Sequence, residues 1–301
     1  MPLRSTQFLE ALIPGIYKFF DVGMSYRQPL APQLYNVMSS NRAYEESIGM
    51  GAISADAWLN YEKTNEKSAV DFDQGYTTRM THQEYPVKMI IERKLLDDDQ
   101  YSNVIRSRAE RLGISAQVRR ETDAASIFNN AFTAETWAGD GKALCANNHP
   151  RSPRKATSLS NISTTALTTA NLSATRQAMM AVEDDAGNLL GMTPDTILVP
   201  PELEDAALEA VKSTQEPTTA NNAINPQFGR YRVVPWHYLT DANNWFMIDS
   251  VWMRQSLHWY NRSPLEVILA SSNTTEYVYE AYMRYSYGFV DWRWIHGHNV
   301  A

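Results

Sequence analysis

The sequence predicts an α+β fold, and three stretches carry that prediction. Between residues 71 and 137 an extended, β-branched and aromatic run leads into one very long helix. Between 171 and 211 a short all-apolar strand sits between two helices, which argues for a mixed layer. From 231 to the end, strand candidates follow one another in a stretch dense in Tyr and Trp.

Taken in order, residues 4–20 pattern as a short amphipathic helix, with Phe8, Leu9, Leu12, Ile13, Ile16, Phe19 and Phe20 apolar and Pro14 interrupting it. Residues 21–42 show no clear period and carry Pro29 and Pro32, as an arm lying on other structure would. From 44 to 73 isolated large apolar residues (Trp58, Tyr61, Val70, Phe72) stand among charges that include Glu62, Lys63, Glu66 and Lys67. Such a pattern suits a solvated strand-turn-strand, or a loop that pairs with another subunit. The run YTTRMTHQEYPVKMIIERKLL, Tyr76 to Leu96, reads as a pair of strands with His82, Gln83 and Glu84 at the turn.

Asp97, Asp98 and Asp99 then supply negative charge and cap acceptors where a helix begins. Behind them Tyr101, Val104, Ile105, Ala109, Leu112, Ala116, Ala124, Ile127, Phe128 and Ala131 recur at three- and four-residue spacings. Arg106, Arg108, Glu110, Arg111, Arg119, Arg120 and Glu121 fall on the other face. Unbroken, this helix is ~35 residues, roughly 50 Å long, with Gly113 as its weak point and a place where it could bend.

Residues 140–150, DGKALCANNHP, open on an Asp-Gly turn, and 151–169 read as a Ser-, Thr-, Arg- and Lys-rich surface loop. A helix follows from about 171 to 187, then a buried strand at 196–199 stopped by Pro200 and Pro201, then a helix at 202–211. A polar loop occupies 213–229. The strand candidates after it are 231–234, 245–249, 265–270 and 275–287, with a last short strand beyond Gly288.

Composition bounds the function. The chain has 301 residues, 44% hydrophobic and 20% charged, which affords a substantial core. A formal charge of −7 argues against a free-standing nucleic-acid binder. The single cysteine, Cys145, rules out an internal disulfide and fits a reducing compartment. No apolar run is long enough to span a membrane, and Pro14 and Gly15 break the only early apolar stretch, against a secretory signal. Of the 8 Trp and 16 Tyr, eleven lie between Trp245 and Trp294. A β-rich core with amphipathic rims explains them most simply; sugar stacking or a large protein–protein surface would use the same residues.

No catalytic motif emerges. Lys142 lacks the phosphate-loop pattern, because Thr136 stands where the first Gly belongs and Ala143 where Ser or Thr belongs. There is no G-x-S-x-G and no H-E-x-x-H. His296 and His298 lack ligand-spaced partners and read as a solvated tail rather than a metal site. Glu183, Asp184, Asp185 and Asn188 resemble half a calcium loop, but the closing Glu is missing and a helix-ending turn fits better. Cys145 has no nearby base and reads as a small buried residue. Carboxylate pairs of the glycosidase kind need only meet in space, and nothing in the sequence selects one.

Four runs carry a resemblance: GYTTRMTHQEYPVKMIIERKLLDDDQY; FNNAFTAETWAGDGKALCANNHP; NLSATRQAMM with DDAGNLLGMTPDTILVPPELEDAA; and AYMRYSYGFVDWRWIHGH at the end. Together they resemble the major head subunit family of Mu-like phages and prophages over roughly residues 8–298. DGKAL…HP and PDTILVPPELE are the most specific parts.

That resemblance implies the tailed-phage major capsid protein fold first described for a Hong Kong phage, which encapsulins share. It places an N-terminal arm at 1–42 and an extended loop at 43–92. A peripheral domain built on the spine helix takes 93–170 and 276–301, and an axial domain takes 171–275. The implied role is structural and non-enzymatic. Such a subunit assembles into pentamers and hexamers of an icosahedral shell around packaged double-stranded DNA. No cofactor, metal or membrane is expected. The implied partners are further copies of the chain, portal, scaffold and decoration proteins, and DNA held without sequence specificity. Virion capsid is the expected location, with host cytoplasm during assembly. Trp58, Tyr61, Lys63 and Phe72 of the extended loop are the expected inter-subunit contacts. Arg151, Arg154 and Lys155 could touch DNA, although a solvated loop suits them better. No scaffolding segment precedes the arm, so a separate scaffold is expected. No Lys–Asn crosslink can be assigned to Lys63 or Lys67. An encapsulin-like cargo shell is the second reading, and a carbohydrate-active enzyme a distant third.

Overall fold

The computed structural model describes residues 17–59, 67, 74–92, 94, 102–133, 139–216, 223–272 and 275–301. Residues 17–24 form helix α1, followed by α2 (Ala31–Leu34), β1 (Asn36–Ser39), β2 (Tyr44–Met50), β3 (Gln74–Thr81) and β4 (Gln83–Glu92). The spine helix α3 (Ser102–Asn129) leads to β5 (His149–Ser152), β6 (Lys155–Leu159), β7 (Ile162–Ser163), α4 (Thr169–Met180) and β8 (Thr196–Val199). Then come α5 (Glu204–Lys212), β9 (Arg232–Pro235), β10 (Trp245–Ile248), α6 (Ser250–Ser256), β11 (Leu257–Ser272), β12 (Glu276–Phe289) and β13 (Ile295–His298). A four-stranded sheet has the order β1-β11-β12-β4 and a five-stranded sheet the order β7-β13-β10-β8-β9; β2-β3 and β5-β6 are two-stranded ribbons.

Period-two alternation assigns the two faces of the five-stranded sheet. In β8 and β10 every residue is buried. Ile197, Val199, Trp245 and Met247 point to the side covered by Leu172 and Met179 of α4 and Ala207, Ala210 and Val211 of α5. Leu198, Phe246 and Ile248 point to the other side, where Ala124, Ile127 and Phe128 of α3 and Ala131 just beyond it meet them. The same stretch of α3 also packs on Trp259, Tyr285 and Phe289 of the four-stranded sheet. The C-terminal half of the spine therefore joins the two sheets. Its N-terminal half covers a separate cluster of Phe20, Ile91, Val267, Tyr277, Tyr279 and Ala281. Trp245, Trp259 and Trp294 are fully buried, and truncating any of them would cost ~3–5 kcal/mol. The aromatic density of the C-terminal third is core.

Several expectations are corrected. Within the described residues the spine helix runs from Ser102 to Asn129, ending short of residue 137, and Asp97, Asp98 and Asp99 lie outside the described residues. Gly113 is a crossing point: a Cβ there would lie 2.3 Å from the Phe20 carbonyl oxygen of α1. Glu121, expected on the polar face, is buried. Its Oε1 accepts the Ala31 N–H at 3.0 Å and its Oε2 the Trp236 indole N–H at 3.1 Å. β3 and β4 do not pair with each other. β3 pairs with β2, and β4 runs antiparallel to β12. Buried His82 sits at the change of sheet, its ring nitrogens 2.9 Å from Ser286 Oγ and 3.1 Å from Ser40 Oγ.

Other boundaries move as well. Residues 151–169 are not a loop: they hold the rest of β5, then β6, β7 and the start of α4. α4 ends at Met180 rather than near 187. β11 extends over sixteen residues where 265–270 was expected, with register shifts around Ser263 that accommodate Pro264. The N-terminal helix expected at 4–20 falls largely outside the described residues, and its described part runs on to residue 24.

Candidate assembly surfaces

The role that the resemblance implies would use surfaces that copies can share, where exposed apolar groups matter more than a cleft. The ribbon of β2 and β3 carries one such surface. Tyr44 pairs with Thr81 and Met50 with Gln74, and the Arg79 guanidinium lies 3.6 Å over the Tyr44 ring. Ile48 on β2 is 57% exposed. Beyond β2 the chain makes a 3₁₀ turn, Ala55–Ala57, and displays Trp58, which is 85% exposed, with Leu59 beside it. Of the four expected contacts, Trp58 therefore stands open to solvent. Tyr61, Lys63 and Phe72 lie outside the described residues.

Two further surfaces carry exposed apolar side chains. On the outer face of the four-stranded sheet, Ile90 of β4 and Ile268 of β11 flank the Lys88–Glu280 ion pair, 3.0 Å long. Between the arm and the spine, Tyr26, Leu30, Val118, Trp236 and Tyr238 line a groove of about 380 Å³.

The chemically suggestive residues are scaffolding. His149 is buried, its Nδ1 2.7 Å from Asp140 Oδ2 and its ring stacked 4.1 Å from Trp292. Burial raises the Asp140 pKa, but hydrogen bonds from His149 and the Lys142 N–H outweigh it and hold the carboxyl below its usual range. Asn161 Nδ2 donates to the carbonyls of Leu144 and Ile295 at 2.9 and 3.1 Å. The DGKAL…HP motif is thus a knot that ties the loop after the spine to β13. No signal short of the fold links Asp140 to His149 or Asn161 to Ile295. Cys145 is buried, and burial pushes its thiol well up.

His296 and His298 are not a solvated tail: both are buried in β13. Burial pushes His296 down to about 4; burial and the neighbouring His296 push His298 down to about 3. His298 Nε2 is 2.9 Å from Thr175 Oγ1, and its ring stacks 3.6 Å from Trp245. Among the described residues no group of three or more His, Cys, Asp and Glu side chains is placed to hold a metal. No described helix is long and apolar enough to cross a membrane.

Arg151 forms an ion pair with Glu183, and Lys155 Nζ donates to the Asp185 carbonyl at 3.0 Å. Both bind the turn that follows α4. Within that turn Asp184 Oδ1 accepts the N–H groups of Ala186, Gly187 and Asn188 at 2.7–2.8 Å. The supposed half calcium loop is a self-capped turn.

The chain matches the profile of a family described as phage capsid protein over residues 84–296. No curated protein sequence matches it. Among solved structures it is similar to the mature capsid of bacteriophage PhiM1 at 12% identity, TM-score 0.61, covering 91% of this chain and 88% of that one. It is similar to the capsid of bacteriophage JBD30, decorated with minor capsid protein trimers, at 15% identity and TM-score 0.53, covering 71% and 92%. A virus-like particle from Pyrococcus furiosus is similar at 8% identity and TM-score 0.53, covering 93% and 96%. These likenesses define the fold as that of tailed-phage capsid proteins.

Proposed function

This chain belongs to the phage capsid protein family, and we propose that it is the shell-forming subunit, assembling as pentamers and hexamers around double-stranded DNA. The observation that carries the reading is the family match across residues 84–296, which takes in the spine helix and most of both sheets, β1 excepted. Head-to-tail contacts that close make such rings, and projecting elements add area that a lone subunit leaves open. The β2–β3 ribbon with its exposed Trp58 and Ile48 has the form such a contact needs. Trp58, Tyr61, Lys63 and Phe72 remain the proposed inter-subunit residues.

The proposed division is an arm at 1–42, an extended loop at 43–92, a peripheral domain at 93–170 and 276–301, and an axial domain at 171–275. Pairing of β11 with β12 favours moving β11 to the peripheral part, because the two strands share one sheet and one core. Portal, scaffold and decoration proteins are the proposed partners, and assembly is proposed to take place in the host cytoplasm. We assign no catalytic role. The large aromatic side chains that sugar binding would use, Trp245, Trp259 and Trp294, are core residues.

An encapsulin-like cargo shell is the second reading, which the family match does not favour. Producing the chain with its neighbouring phage proteins and analysing the contents of any particles separates the two. Nuclease-protected DNA is expected; particles filled with protein and free of DNA would favour the cargo shell.

A further inference from the structure

We propose that Asn188 is a clasp that fixes the course of the chain just beyond β2, where Trp58 is displayed, making it a positioning residue for shell assembly. The inference rests on the capsid reading above. Asn188 Nδ2 donates to the Ile53 carbonyl at 2.9 Å, and its Oδ1 accepts the Ala55 N–H at 2.8 Å. A carbonyl and the N–H two residues on are the pair that a neighbouring strand would read, so the side-chain amide stands in for a peptide group. Reversing the amide would set acceptor against acceptor at 53 and donor against donor at 55, so the orientation is determined.

The clasp is held from below. Asn188 Nδ2 also donates to Asp184 Oδ2 at 2.7 Å, and Asp184 caps the turn through three backbone N–H groups. Burial raises the Asp184 pKa, but these hydrogen bonds outweigh it and keep the carboxylate ionised. The turn is moored to the body by Arg151–Glu183 and by Arg293, whose Nη2 lies 2.5 Å from Asp185.

The far end of the ribbon, where Met50 pairs with Gln74, is itself seated on the body. A Cβ on Gly139, in the loop after the spine, would stand 2.7 Å from Tyr76 Cβ of β3. The chain that leaves β2 at this end is next held at residues 53 and 55 by Asn188, and Trp58 is presented three residues beyond Ala55.

The test uses the full chain with two variants that remove the same contact from opposite sides. Asn188→Ala deletes the side-chain amide. Ala55→Pro deletes the N–H it accepts, at the first position of the Ala55–Ala57 turn, where proline is tolerated. Both should melt within about 3 °C of the parent. Exchange of the Ala55 amide should rise about tenfold in Asn188→Ala. Shell assembly, followed by light scattering and electron microscopy, should slow about tenfold in each variant and no further in the double variant. Single variants that assemble at the parental rate, or losses that multiply in the double, would overturn the proposal. A parent that forms no shell overturns the capsid reading itself, and this proposal with it. Should Asn188→Ala fail to fold, Ala55→Pro alone decides between the same two outcomes.

Discussion

Gly23 and Gly113 meet where α1 crosses the spine helix. A Cβ on Gly23 would lie 2.1 Å from the Glu110 carbonyl oxygen, and one on Gly113 2.3 Å from that of Phe20. Two backbones touch here with no side chain between them, which is how the arm is seated on α3.

Helix propensity and packing therefore make opposite predictions for Gly113→Ala. In a free helix the change would stabilise by ~1 kcal/mol. Here it should destabilise by ~1–3 kcal/mol, because the added methyl must displace the α1 backbone. Denaturant unfolding of the unassembled subunit reads the sign directly. A stabilised variant would mean that α1 does not cross at this point.

Glu121 bridges the arm and the loop after β9, through the Ala31 N–H and the Trp236 indole. Replacing it with Ala leaves two buried donors unpaired and should cost ~2–4 kcal/mol. Glu121→Gln keeps at least one acceptor and should cost less than half as much. The emission of Trp236 should change in Glu121→Ala. Equal stability of the Ala variant and the parent would show that water or another group satisfies those donors.

Burial lowers the pKa values of His296 and His298 to about 4 and about 3. Below the ordinary histidine value of ~6.5 the unfolded chain takes up protons that the folded chain refuses. Stability should consequently fall as pH drops from ~6.5 toward ~4, by roughly 2 kcal/mol per histidine between pH 7 and 5. His298→Asn should flatten that slope by about one proton. A variant with the parental slope would show that His298 is not held neutral.

Trp58→Ala should leave the isolated subunit within ~0.5 kcal/mol of the parent, since the side chain is 85% exposed. Assembly should slow markedly, because a large aromatic covered at an interface is a typical energetic anchor. Undiminished assembly would remove Trp58 from the list of contacts.

How much of this was legible depended on whether the cause lay within a few residues. β8 could be read because three apolar residues, Ile197, Leu198 and Val199, end at Pro200 and Pro201. The spine could be read because Ala109, Ala116, Ala124, Ile127 and Phe128 keep helical spacing. β11 was cut short because Asn261, Arg262 and Pro264 break the apolar pattern, whereas pairing with β12 carries the strand through with shifted register. Glu121 looked solvated because its partner Trp236 lies 115 residues away. His296 and His298 looked like a tail because only the place of β13 between β7 and β10 in its sheet buries them. Asn188 was read with its acidic neighbours, since the backbone it holds at Ile53 is 135 residues distant. Trp58, by contrast, stood out from its polar surroundings without help from the fold.

The central claim is that this chain builds shells, and electron microscopy of the purified chain tests it most directly. Capsomer rings, closed shells or tubes are predicted, with β2–β3 ribbons crossing between neighbouring subunits. A well-folded chain that stays monomeric at every concentration, with and without its neighbouring phage proteins, would contradict the account.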